Sequence, residues 1–231
     1  MSYKIRNKED YKKSYKESVE NTEQFWERIA QNFTWFKPWN KVMECDMKEA
    51  SFKWFEGGQT NITYNCIDRH LEKKGDQTAI IFEPNLPTDE AEHITYAQLH
   101  EKVCKMSNVL LQMGIEKGDR VAIYLPMIPE LAYCVLACAR IGAIHSVIFA
   151  GFSSGALSAR INDASCKMVI TSDGSYRGNK TIDLKRIVDE ALINCPCIEN
   201  VLVVERTKTE IDMIKNRDHY LAPLIEDASS V

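Results

Sequence analysis

The sequence predicts an α/β fold, a mostly parallel sheet with flanking helices, preceded by a helical, aromatic-rich N-terminal segment. Three observations carry this. Short apolar runs alternate with amphipathic stretches from residue 78 to residue 205. Several of those runs are continuously apolar, as strands covered on both faces are. Proline, glycine, serine and threonine punctuate the junctions where helices start and stop. Strands and helices in alternation are the pattern of βαβ units on a parallel sheet.

Taken in order, residues 1–20 are polar and are expected as a flexible N-terminus or a loose surface helix. TEQFWERIAQNF spaces Phe25, Ile29 and Phe33 along one helical face, with Trp26 beside them. TWFKPWNKV gathers Trp35, Phe36 and Trp39 around a proline, a patch suited to packing. FKWFEGGQTN reads as turn-rich, and YNCIDRHLEKKG as a short helix stopped by Gly75. TAIIFE (78–83) is a strand and PNLPTDEAEH a polar loop. ITYAQLHEKVCKMSNVLLQMGI (94–115) is a helix with Thr95 as N-cap and Gly114 near its end. VAIYLP (121–126) is a strand, and PELAYCVLACARIG (129–142) a helix with proline in its first turn and glycine past its end. AIHSVIFA (143–150) is a strand, SSGALSARINDAS a helix, KMVITS a strand, TIDLKRIVDEAL a helix and NVLVVE (200–205) a strand.

Totals exclude some functions. The 231 residues are 45% apolar and 27% charged, ordinary for a globular chain with a real core. A net charge of −4 supplies no basic excess to displace counterions from a nucleic acid. The N-terminus lacks the apolar centre of a signal peptide, and no apolar run is long enough to cross a bilayer. No membrane or nucleic-acid partner is therefore expected. The eight cysteines lack disulfide-framework spacing, which points to reduced thiols and a cytoplasmic location. The lone C-x-C at 195–197 is no metal signature, so no metal ligand is assigned.

Two loops at the carboxyl ends of strands hold the residues with chemistry. GFSSG (151–155) fits the G-x-S-x-G nucleophile elbow, which would make Ser153 the nucleophile of a serine hydrolase. Its histidine would have to be His219, with Asp183, Asp189 or Asp212 as the acid. No HGGG-like oxyanion segment precedes it, and a helix cap explains Ser153 more simply. SDGSYRGNK (172–180) puts Arg177 and Lys180 ahead of a helix, where a guanidinium fork, an ammonium and free N–H groups suit a phosphate. A solvated loop explains the same residues. No dinucleotide loop, phosphate-binding P-loop or H-E-x-x-H is present, and His145 reads as a core histidine.

Several stretches together resemble the N-terminal part of AMP-forming acetyl-CoA synthetases, within the adenylate-forming enzymes. They are residues 53–83 with WF-x-GG-x-x-N and YN-x-x-DRH, ITYAQLHEKV, residues 118–153 with PMIPE and ACARIGA-x-HSVIF, and the loop at 173–180. The likeness runs from about residue 25 to about residue 205. It implies an acetate–CoA ligase that converts ATP, acetate and CoA to acetyl-CoA, AMP and pyrophosphate, with Mg as metal cofactor. Propionate–CoA ligase is the near alternative, and a non-catalytic binding module the distant one.

By the same resemblance Arg177, Gly178, Asn179 and Lys180 match a loop that meets the 3′-phosphate and adenine end of CoA. Phe149, Ala150 and Gly151 match a turn beside the adenine. Ser153 becomes a helix cap and no catalytic residue lies in this chain. Three departures from the family pattern bear on the strength of CoA binding and leave the assignment in place: Lys180 stands for a second arginine, Ala150 for a glycine, and Ser154-Gly155 for Pro-Glu. The implied domains are the polar N-terminus (1–20), an acetyl-CoA synthetase N-terminal segment (21–77) and the start of an AMP-binding domain (78–231). The ATP-gripping loop, the acetate pocket, the magnesium-binding glutamate and the mobile domain with the catalytic lysine belong after Val231. The expectation is an N-terminal fragment that forms no adenylate alone and holds no cofactor tightly.

Overall fold

A computed structural model describes residues 5–86 and 88–230. Residues 1–4 of the polar N-terminus, Pro87 in the loop after TAIIFE, and Val231 lie outside the described residues. The chain divides into two compact units, residues 1–65 and 66–231.

The first unit holds α1 (Lys8–Glu20), α2 (Thr22–Ala30), β1 (Lys41–Asp46), β2 (Ser51–Glu56) and most of α3 (Ile62–Cys66). Asn7 caps α1 by accepting from the Asp10 N–H at 2.8 Å, and no α1 residue is buried. The stretch read as turn-rich contains a strand. β2 pairs antiparallel with β1, and the glycines at 57 and 58 only follow it. β2 reads Ser51-Phe52-Lys53-Trp54-Phe55-Glu56, a short strand whose alternation breaks at Phe55 and whose signal is hidden by the Gly-Gly that follows it. Trp35 packs edge-on to Trp39 and against Phe55, and Trp26 meets Trp54. These contacts are packing of the kind expected for an aromatic patch.

The second unit is built on five parallel strands. They are β5 (Arg120–Tyr124), β6 (Ile144–Val147), β7 (Met168–Ser172), β10 (Asn200–Val204) and β11 (Asp218–Tyr220), in spatial order β11-β10-β7-β5-β6. Helices α5 (Tyr96–Gln112), α6 (Pro129–Ile141) and α9 (Leu221–Asp227) contribute to one face. Helices α7 (Ser154–Ala164) and α8 (Leu184–Leu192) cover the other. Val121, Ile123, Met168, Ile170 and Leu202 pack into the first layer, and their neighbours Ala122, Tyr124, Val169, Val201 and Val203 into the second. The unbroken apolar runs thus reflect pleated strands buried on both sides.

Local signals set most ends. Thr95 and Gln98 form a reciprocal capping box at the start of α5. Pro129 opens α6, and Gly142 closes it with φ of 79°. Two expectations fail. β3 (Thr78–Phe82) is not in the parallel sheet; it pairs antiparallel with β4 (Glu92–Thr95), so Ile94 and Thr95 end a strand before the helix begins. The helix expected from YNCIDRHLEKKG is broken: after α3 come a 3₁₀ turn (Asp68–His70) and the one-turn α4 (Leu71–Lys74). At the break, the Asp68 carboxylate makes a two-pronged pair with Arg140 of α6, both contacts at 2.8 Å. No helix of the described residues is long and apolar enough to cross a membrane.

Candidate functional site

The carboxyl ends of the parallel strands meet at a cleft of about 360 Å³. Pro126, Met127 and Ile128 reach it after β5, and Phe149, Ala150 and Gly151 after β6. Tyr176 and Arg177 come beyond β7, and Arg206 follows β10. The chain crosses from β5 out to β6 and back past β5 to β7. Such a switch point leaves a crevice above the strand ends, where α/β proteins take ligands.

The loop after β7 is not a simple strand-to-helix junction. Gly174–Arg177 forms β8 and Lys180–Asp183 forms β9, paired antiparallel with Arg177 opposite Lys180. The two-residue turn is Gly178-Asn179, with φ of +58° at Gly178 and no positive φ at Asn179. Glycine at the first turn position is what a type II′ hairpin demands. This overturns the placing of Arg177 and Lys180 at a helix N-terminus. α8 starts at Leu184, and the Asp183 carboxylate caps it by accepting from the Arg186 N–H at 3.2 Å. The cations stand on a hairpin tip instead. Gly-Asn between YR and KT was the sequence signal for it.

Phe149, Ala150, Gly151 and Arg177 line the cleft together. Gly178, Asn179 and Lys180 are exposed on the tip beside it and do not line it. No carboxylate among the described residues pairs with the side chain of Arg177, Lys180 or Arg206. Both charged tip residues are exposed. A Cβ on Gly151 would strike the exposed Phe149 ring, so a larger residue there would displace that ring from the cleft wall. Sequence reasoning missed Phe82, Tyr176, Ile182 and Arg206. Only the fold brings Phe82 of β3 and Arg206 of the loop after β10 to the wall that Tyr176 and Ile182 of the β8–β9 hairpin form.

Ser153 is a helix cap. Its hydroxyl accepts from the Ala156 N–H at 3.4 Å at the start of α7. Ser153 follows β6 at one edge of the sheet, whereas His219 lies on β11 at the opposite edge. Four strand spacings separate those edges, roughly 19 Å, so no serine–histidine pair can form. His145 is not a core histidine: it is exposed, because β6 is an outer strand.

The cysteines offer no activated thiol in the core. Burial pushes the Cys138 thiol up to about 12 and Cys166 up to about 11, and holds Cys134 well above the ordinary range. Such groups stay protonated and unreactive at neutral pH. Cys195 sits against Ser158, 3.2 Å from its hydroxyl, and no disulfide links the cysteines of the described residues.

Comparison with known proteins agrees with the division of the chain. Residues 11–66 match the acetyl-coenzyme A synthetase N-terminus, and residues 67–224 match the AMP-binding enzyme family. The likeness therefore reaches beyond residues 25–205 at both ends. Acetyl-coenzyme A synthetase 2 of Pseudomonas aeruginosa is 51% identical over 225 residues, 97% of this chain and 35% of the relative. Acetyl-coenzyme A synthetase of Desulfatibacillum aliphaticivorans is 53% identical over 209 residues, 90% of this chain and 32% of the relative. The chain thus spans about a third of the length of the relatives it matches. An acetoacetyl-CoA synthetase from Streptomyces lividans shares the fold, with a TM-score of 0.83 at 23% identity over 93% of this chain and 32% of the other. Similar in sequence to acetyl-coenzyme A synthetases and built on the strand order described above, the chain belongs to the AMP-binding enzyme family.

Proposed function

We propose that this chain supplies the CoA nucleotide site of an AMP-forming acetate–CoA ligase. The overall reaction takes ATP, acetate and CoA to acetyl-CoA, AMP and pyrophosphate, in the cytoplasm, with Mg as counter-ion of the ATP phosphates. The observation that carries the reading is the cleft at the strand switch point, where Arg177 lines the wall and Lys180 stands beside it, both without an acidic partner among the described residues. Unpaired guanidinium and ammonium groups at a concave surface favour a phosphate.

The residues fit a purine nucleotide bearing a ribose phosphate. Gly151 lets the backbone and the Phe149 ring approach closely, which leaves a flat apolar wall for a base. Arg177 and Lys180, opposite one another at the hairpin tip, would hold the ribose phosphate. The nucleotide of CoA is remote from its thiol. Binding it there positions the thiol without touching the reacting atoms, so its energy serves orientation. CoA supplies the thiol that accepts the acyl group. Residues 21–77 and 78–231 are proposed as the acetyl-CoA synthetase N-terminal segment and the start of the AMP-binding domain, although the compact units meet at residues 65 and 66.

Calorimetric titration with CoA and with 3′-dephospho-CoA tests the reading. The chain should prefer CoA, and Arg177→Ala should erase about tenfold or more of that preference, the value of a hydrogen bond to a charged group. Equal binding of the two ligands by the unsubstituted chain would defeat the assignment.

A further inference from the structure

Arg206 stands on the wall of the same cleft, outside every motif in the sequence. β10 ends at Val204, and the chain then bends around one buried carboxylate. Asp173, 1% exposed, accepts from the backbone N–H groups of Gly174 at 2.7 Å, Arg206 at 2.8 Å, Thr207 at 3.0 Å and Thr209 at 3.2 Å. An anion that holds four N–H groups from two segments fixes where Arg206 leaves the backbone. Its side chain then runs to two rings. The guanidinium lies 5.5 Å from the Phe82 centroid and 5.7 Å from the Tyr176 centroid.

Aromatic faces hold a planar cation by its face and leave the N–H donors on its edge available. No acid among the described residues takes them. A guanidinium fixed by rings, open at its edge and set in a concave wall is arranged to receive an anion.

Its place in the cleft differs from that of the tip cations. The Arg206 guanidinium lies against the Phe82 and Tyr176 rings, whereas Arg177 and Lys180 pair across the exposed turn of the β8–β9 hairpin. Two cation positions on one cleft match a ligand with two separate phosphate groups. We infer that Arg206 binds the 5′-diphosphate of a nucleotide whose ribose phosphate is held at the hairpin tip, with Asp173 as the residue that positions it. This rests on the CoA reading of the cleft.

The test uses the 231-residue chain. CoA and 3′-dephospho-CoA, which share the diphosphate, are titrated into the unsubstituted chain, Arg206→Ala and Arg206→Lys. Arg206→Ala should weaken both ligands by the same factor, about tenfold or more, and leave their ratio intact. Arg206→Lys, which keeps the charge but not the fork, should recover only part. Unchanged thermal midpoints show that the variants remain folded, and Arg206→Lys serves if the alanine variant unfolds. The inference is overturned if Arg206→Ala leaves both affinities unchanged, or if it lowers only CoA and so removes the ratio. A chain that binds both ligands equally well before any substitution defeats the CoA reading instead. In that case a matched loss of both in Arg206→Ala still assigns Arg206 to the diphosphate.

Discussion

At Asp173, a single side chain decides what a loop can do. Its carboxylate gathers the N–H groups of Gly174, Arg206, Thr207 and Thr209 at the end of the sheet. Gly174 has no room for a side chain there, since a Cβ would fall 2.5 Å from the Thr207 hydroxyl. Asp173→Asn keeps one acceptor oxygen and loses the charge, so it should cost about 1–3 kcal/mol in urea unfolding. It should also weaken CoA as Arg206→Lys does, because Arg206 is released from its anchor. An Asp173→Asn chain with native affinity would show that the loop does not need this clamp. The residue is plain in the sequence as part of SDGSYRGNK, but its role is not. Three of its four donors, Arg206, Thr207 and Thr209, lie over thirty residues downstream, beyond the next helix and strand.

Among the elements, α8 and β11 are joined by charge. Lys185, fully buried, meets Asp189 at 2.7 Å and Asp218 at 2.8 Å, and donates to the Asp212 carbonyl at 2.9 Å. Arg217 completes the group through Asp189 and Asp218. Burial alone would raise the Asp218 carboxyl, but hydrogen bonds from Arg217 and Lys185 outweigh it and leave its pKa below the ordinary value. A depressed carboxylate binds its proton less readily folded than unfolded. Its contribution is therefore present above the unfolded value of about 3.9 and lost as pH falls through the lowered one. Unfolding midpoints should drop steeply below about pH 4. Lys185→Met, which removes one of the two cations on the buried Asp218 carboxylate and leaves Arg217, should cost about 1–3 kcal/mol at pH 7. A variant as stable as the parent would refute the role of this group. Sequence periodicity found α8 but began it at Thr181, three residues early, and a lysine in LKRIVDEAL reads as a solvated position; its partner strand DHY was too short and polar to be seen.

For the whole molecule, the sheet has an open side. Among the described residues β6 pairs with β5 alone, and it exposes Ile144 at 54%, Val147 at 51% and, just beyond it, Phe149 at 71%. Unpaired N–H and C=O groups flanked by apolar side chains invite another chain. The protein should associate as concentration rises, and Val147→Lys should reduce that association in light scattering without changing the urea midpoint by more than about 0.5 kcal/mol. Indifference of the scattering to Val147→Lys would place the association elsewhere.

Local chemistry by itself determined the α/β class, the helix bounds at Thr95, Pro129 and Gly142, and the buried strands β5, β7 and β10. Each depends on periodicity or on a cap within a few residues, which the chain carries wherever it folds. The tertiary structure alone decided that TAIIF leaves the parallel sheet, that His145 is exposed and that Arg206 shares a wall with Arg177. These depend on which strand lies beside which, and strand order is set by contacts between residues far apart in sequence, where no local pattern reaches.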